Sequence, residues 1–97
     1  MIAALHLIIE GRVQGVGFRH AMCRQATILG LEGWVRNRND GSVEAVVVGP
    51  PEQVDLLHAW VRRGPPGAHV MAVERRAATA AEEDDALGSG FAQRPSI

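Results

Sequence analysis

Gly11-Arg12-Val13-Gln14-Gly15-Val16-Gly17-Phe18-Arg19 is the stretch whose reading decides the fold. It follows an apolar run, Leu5 to Ile9, and leads into a run of helical character, His20 to Leu29. A strand, a glycine-rich bend and a helix start, in that order, form a layout that binds anions. Gly11, Gly15 and Gly17 can take positive φ, which lets successive backbone N–H groups turn toward one point. The helix N-terminus adds unpaired donors and a partial positive charge. Arg19, in the first turn, adds a planar fork that can grip two oxygens of one phosphate. The same glycines also suit a plain tight turn between strand and helix, so spacing alone leaves both readings open.

Two better-known glycine loops do not fit. A Walker loop that starts at Gly11 needs its second glycine where Val16 stands, followed by a lysine that is missing. A dinucleotide fingerprint that starts at Gly15 needs glycine where His20 stands.

Outward from the loop, period-two alternation puts Leu5, Leu7 and Ile9 on one face of a first strand, Ala4 to Glu10, with His6, Ile8 and Glu10 on the other. Phe18, Met22, Ala26 and Leu29 recur at helical spacing, and Gly30 stops that helix. Leu31 to Arg38 predicts a second strand, Asn39-Asp40-Gly41 a hairpin turn, and Ser42 to Val48 a third strand. Gly49-Pro50-Pro51-Glu52 opens a second helix whose apolar stripe is Val54, Leu57, Trp60 and Val61; Gly64-Pro65-Pro66-Gly67 closes it. Ala68 to Arg76 supplies a fourth strand. The order β-α-β-β-α-β predicts one α+β domain over residues 1–97, a ferredoxin-like two-layer sandwich. Its sheet should be antiparallel, with both helices on one face and the first and third strands as central neighbours. Residues 77–90, with the acid run Glu82-Glu83-Asp84-Asp85, are expected to be a solvated loop, and residues 91–94 a short edge strand.

Composition removes several function classes. A net charge of −1 leaves no broad basic face for nucleic acid or an anionic membrane. All 10 cationic side chains are arginine, which excludes lysine Schiff-base chemistry; the absence of tyrosine excludes a phenolic nucleophile. Phe18, Trp34, Trp60 and Phe91 do not form the aromatic pair of an RNA-recognition strand. His6, His20, His58 and His69 show no metal-ligand spacing. Cys23 follows Arg19, so it lacks the order of a phosphatase nucleophile and reads as a small buried hydrophobe. A lone cysteine and no long apolar segment make the cytoplasm the expected location.

The loop from Gly11 to Arg19 resembles the first signature of the acylphosphatase family. Gly33-Trp34-Val35-Arg36-Asn37, then Gly41-Ser42-Val43 and Gly49, is similar to the second. The likeness runs from about Leu5 to Val73. It implies a metal-independent enzyme without cofactors that hydrolyses acyl phosphates to a carboxylate and inorganic phosphate. Its partner is then a small acyl phosphate, with phosphate as product and inhibitor, and it is expected to act as a monomer. The resemblance implies that the backbone of Gln14, Gly15, Val16, Gly17 and Phe18, together with the Arg19 side chain, holds the phosphoryl oxygens. It also implies that Asn37 orients the attacking water, which makes Arg19 and Asn37 the catalytic pair. The rival reading is a non-catalytic anion-binding domain, because related domains occur in larger hydrogenase-maturation proteins.

Overall fold

Strand β1 (Ala3–Arg12) runs past its apolar stretch because a bulge at Glu10/Gly11 lets it stay paired with a neighbour that has shifted register. Gly11 serves this bulge rather than the loop beyond. A Cβ there would stand 2.2 Å from the His69 carbonyl oxygen, so only glycine allows the two backbones to approach so closely. The structure, a computed structural model, describes residues 1–88 and 90–97.

The remaining elements are α1 (Phe18–Ile28), β2 (Glu32–Asn37), β3 (Val43–Gly49), α2 (Pro51–Arg63), β4 (His69–Ala77), α3 (Ala80–Ala86) and β5 (Phe91–Gln93). The sheet order is β4-β1-β3-β2-β5. β1 pairs antiparallel with β3 and β4, and β2 pairs antiparallel with β3. Leu5, Leu7 and Ile9 meet Phe18, Met22 and Ala26 of α1 and Val54, Leu57 and Val61 of α2 in the main core. Each large apolar side chain buried there contributes about 2 kcal/mol. Phe18 and Trp60 lock the two helices together, with ring centroids 5.6 Å apart and tilted by 58°.

The structure corrects the sequence reading in two places. The sheet is mixed, because β5 runs parallel to β2. The stretch expected to be a solvated loop contains helix α3, while Ser89, in the same stretch, lies outside the described residues. The helix forms because Thr79 and Glu82 make a capping box. Glu82 N–H donates to Thr79 Oγ1 (3.1 Å), and Thr79 N–H donates to Glu82 Oε1 (2.8 Å). Glu82 and Glu83 sit in the first turn, at the positive end of the helix dipole, and Ala86 drops into a second core with Trp34, Val46 and Val48. That core lies on the sheet face opposite α1 and α2, so the third helix covers part of the face left open by the expected fold.

Ionic contacts fill the rest of that face. His6 Nε2 lies 2.7 Å from Glu44 Oε2, and Arg36 Nε donates to Glu44 Oε1 at 2.8 Å. Burial by itself would raise the Glu44 carboxyl, but the hydrogen bonds from His6 and Arg36 outweigh it and hold the group below its usual range. The Arg76 guanidinium grips both oxygens of Glu82, at 2.8 and 2.9 Å. That grip, with the Thr79 backbone bond, pulls the Glu82 carboxyl down to about 2.

A carboxyl depressed by folding stabilises the native state above its unfolded pKa and ceases to do so as the pH falls through its native value. Unfolding free energy should therefore decline as the pH falls from about 4.5 toward about 2, with Glu82 contributing to the slope. Denaturant titrations across this window should give a shallower slope for Glu82→Gln than for the wild type. An unchanged slope would show that the Arg76 contact does not couple to folding.

Candidate active site

The loop between β1 and α1 is shaped by two left-handed glycines, Gly15 at φ 73° and Gly17 at φ 78°. Nothing lies within 4 Å of where a Cβ would stand on either, so backbone conformation alone demands glycine there. Gly17 is the N-cap of α1, and no side chain caps the helix. α1 also has no acid in its first turn, unlike α2 with Glu52 and α3 with Glu82 and Glu83. No capping side chain or first-turn acid therefore offsets the positive end of α1. Arg19 is half-buried in that first turn and forms no ion pair among the described residues.

Asn37 is the last residue of β2, opposite Val43 of β3, which in turn stands opposite Ile9 of β1. Alternation with Val35, a main-core residue, turns the Asn37 side chain toward the helical layer. The Asn37 Oδ1 atom is buried and accepts no hydrogen bond from a described residue. Its backbone is held on the far side by the C-terminal segment, where Ile97 N–H donates to the Asn37 carbonyl at 3.1 Å.

One side chain joins the loop to the strand end. Gln14 Nε2 donates to the carbonyls of Arg38 (2.8 Å) and Ser42 (2.9 Å), at the two ends of the β2–β3 turn. The turn is shaped in its own right by Asp40 Oδ1, which accepts from Ser42 N–H and Oγ–H. Gln14 thus brings the glycine loop and the residue next to Asn37 into one unit. Sequence reasoning missed this role, since the partners are backbone carbonyls 24 and 28 positions away and leave no mark in side-chain pattern.

Other sequence candidates fall elsewhere. Arg36 is spent on Glu44 and on the Trp34 ring, 4.6 Å from its centroid, on the opposite face of the sheet. Trp34 is a packing residue of the second core. Cys23 packs against the main core; burial pushes its thiol up, with Arg19 only partly offsetting that, which is the reverse of an activated nucleophile. Among the described residues, no group of three or more His, Cys, Asp or Glu is placed to hold a metal ion, and no helix is long and apolar enough to cross a membrane.

A glycine-shaped loop at the end of the first strand of a ferredoxin-like sandwich, tied through Gln14 to the turn that follows Asn37, agrees with the comparisons to known proteins. The acylphosphatase family profile matches residues 5–92. An acylphosphatase of Thiobacillus denitrificans is 56% identical over 90 residues, covering 93% of this chain and 94% of that protein. The crystal structure of acylphosphatase from Bacillus subtilis superimposes with a TM-score of 0.85 at 32% identity, over 97% of this chain and 99% of that one. An acylphosphatase structure from Coxiella burnetii gives a TM-score of 0.85 at 33% identity, over 96% of this chain and 93% of that one. The chain belongs to the acylphosphatase family.

Replacing Gln14 tests the strut. Gln14→Ala should lower unfolding free energy by about 2 kcal/mol, the loss of two hydrogen bonds at about 1 kcal/mol each, since the Arg38 and Ser42 carbonyls keep the Gly41 and Arg38 N–H groups as donors. Gln14→Glu should cost more near neutral pH, because a carboxylate would face two carbonyl oxygens, and should recover as acid protonates it. Denaturant unfolding of the two variants at both pH values checks this; equal losses without pH dependence would remove the strut.

Proposed function

We propose that this protein hydrolyses acyl phosphates by direct attack of water on phosphorus, with Arg19 and Asn37 as the catalytic residues. The observation that carries this reading is the buried, unpartnered Oδ1 of Asn37 at the strand end tied to the glycine loop. A buried acceptor left unpaired costs about 1–3 kcal/mol, and a water held there would remove that cost. Backbone N–H groups of Gln14, Gly15, Val16, Gly17 and Phe18 hold the phosphoryl oxygens, and the Arg19 fork takes two of them. Charge that spreads over those oxygens in the transition state meets donors already in place.

Water binds to Asn37 Oδ1 through one hydrogen, which points its lone pair at phosphorus in line with the acyl oxygen. The new P–O bond forms as the P–O bond to the acyl group breaks, and the carboxylate leaves without needing a strong acid. The water proton passes to an oxygen of the bound phosphoryl group. Arg19 and the backbone supply the positive field, so the reaction proceeds without a metal or cofactor. Inorganic phosphate, the product, occupies the same cradle and inhibits. Every residue this reading uses comes from one chain, which suits an enzyme that acts as a monomer.

Benzoyl phosphate hydrolysis and calorimetric phosphate binding separate the two roles. Arg19→Lys should lose on the order of 3 kcal/mol of transition-state stabilisation, roughly a hundredfold in rate, and bind phosphate poorly, because an ammonium cannot reproduce the fork. Asn37→Ala should lose kcat strongly while keeping phosphate affinity. Loss of phosphate affinity in Asn37→Ala as severe as in Arg19→Ala would make Asn37 a ligand clamp, and a wild-type protein inert toward benzoyl phosphate would sink the enzymatic reading.

The route of attack has its own test. In ¹⁸O-labelled water the label should enter phosphate and not the carboxylate, and rapid acid quenching should trap no phosphoenzyme. Label in the carboxylate would mean attack at carbon, while a phosphoryl group trapped on His20, next to the cradle, would mean a covalent intermediate.

A further inference from the structure

Away from the cradle, four arginines are paired among the described residues: Arg36 with Glu44, Arg38 with Asp40, Arg76 with Glu82 and Arg94 with Asp85. One group is not. His58 and Arg62, a helical turn apart on α2, and Arg75 on β4 line a groove of about 310 Å³ between the helix and the sheet edge. Neither Arg62 nor Arg75 forms an ion pair among the described residues. Arg75 Nη1 instead lies 3.4 Å from His58 Nδ1. An arginine can only donate, so Nδ1 accepts and the imidazole is held in the neutral tautomer protonated at Nε2.

The cluster is electrostatically unbalanced. Burial, then Arg75, then Arg62 push the His58 pKa below its ordinary value, and Asp55 one turn back on α2 opposes them. A protein of net charge −1 thus brings two guanidinium groups and an imidazole to one groove without a carboxylate between them. The groove floor is apolar. Val70 and Val73 pack against the main core, and Met71 is 77% exposed at the rim. The charged end of the groove is removed from the cradle: Arg75 stands opposite Leu7 of β1, five residues and roughly 17 Å of strand before Arg12, while the Val70 end of the groove lies beside Gly11.

We propose that the α2–β4 groove is a second anion-binding site, taking an oxyanion head, phosphate or carboxylate, carried on an apolar body. The head lies between the Arg75 and Arg62 guanidiniums, where charge-assisted hydrogen bonds relieve their mutual repulsion. The body lies along Val73 and Met71. Binding favours the imidazolium form of His58, so occupancy raises the His58 pKa and the site tightens as the pH falls.

The His58 ring resonances report the site directly, in NMR titrations of the intact protein with phenyl phosphate, benzoate, inorganic phosphate and uncharged benzyl alcohol. Phenyl phosphate or benzoate should shift the ring saturably and raise its pKa, and the tighter of the two identifies the head. Benzyl alcohol should have no effect, and inorganic phosphate should bind more weakly than phenyl phosphate. The response should persist in Arg19→Ala, while Arg75→Gln should weaken it roughly tenfold or more and leave hydrolysis unchanged. Absence of a saturable shift with both organic anions, or its loss in Arg19→Ala, would overturn the proposal; equal affinity for inorganic and phenyl phosphate would remove the apolar body from it.

Discussion

Converging several backbone N–H groups on one anion demands backbone that turns against its normal hand. In the cradle proposed above that demand falls on Gly15 and Gly17, the two left-handed glycines of the loop. β1 must end where the loop begins, and α1 must start without an acid or a capping side chain. Only an antiparallel β1–β3–β2 order then brings the end of β2 to the same rim. The loop is too short and too rich in glycine to hold its own shape, because glycine has the most conformational freedom to lose. Gln14 supplies the missing restraint from within, by fastening the loop to backbone on the neighbouring turn.

The sheet divides its work between its faces. The helical face carries the large apolar core and, at its rim, the polar groups assigned here to catalysis. The other face carries an ionic lattice: His6 and Arg36 on Glu44, Arg76 on Glu82, and Arg94 on Asp85. Trp34 lies between these two kinds of packing, buried below and with the Arg36 and Arg94 guanidiniums at 4.6 and 4.9 Å from its ring centroid above. Arg19 takes part in none of these pairs. Arg62 of α2 and Arg75 of β4 have no such partners among the described residues and meet beside His58 in one groove.

The second half of the chain shows where pattern reading fell short. Thr79-Ala80-Ala81-Glu82 spells a capping box, but the acids that follow suggest solvent, and Ala86 is the one residue of the helix that is buried. The signal was present and was outweighed by charge. The parallel pairing of β5 had no signal at all, because direction within a sheet depends on how far α3 carries the chain across the open face before it returns to Gly33.

Local chemistry was legible in the residues themselves. Glycine at three loop positions, arginine at the helix start, alternating apolar residues and the Asn-Asp-Gly turn each act within a few positions of chain, and they specified strand, loop, helix and hairpin. Which residues meet across the fold was decided only by tertiary packing. Gly11 proved to be a bulge glycine because His69 passes behind it, and Asn37 kept an unpaired buried oxygen because its neighbours on β3 and at Ile97 occupy only its backbone. Gln14 became a strut for the same reason. Its partners are main-chain carbonyls, which every residue carries and which therefore no sequence can single out.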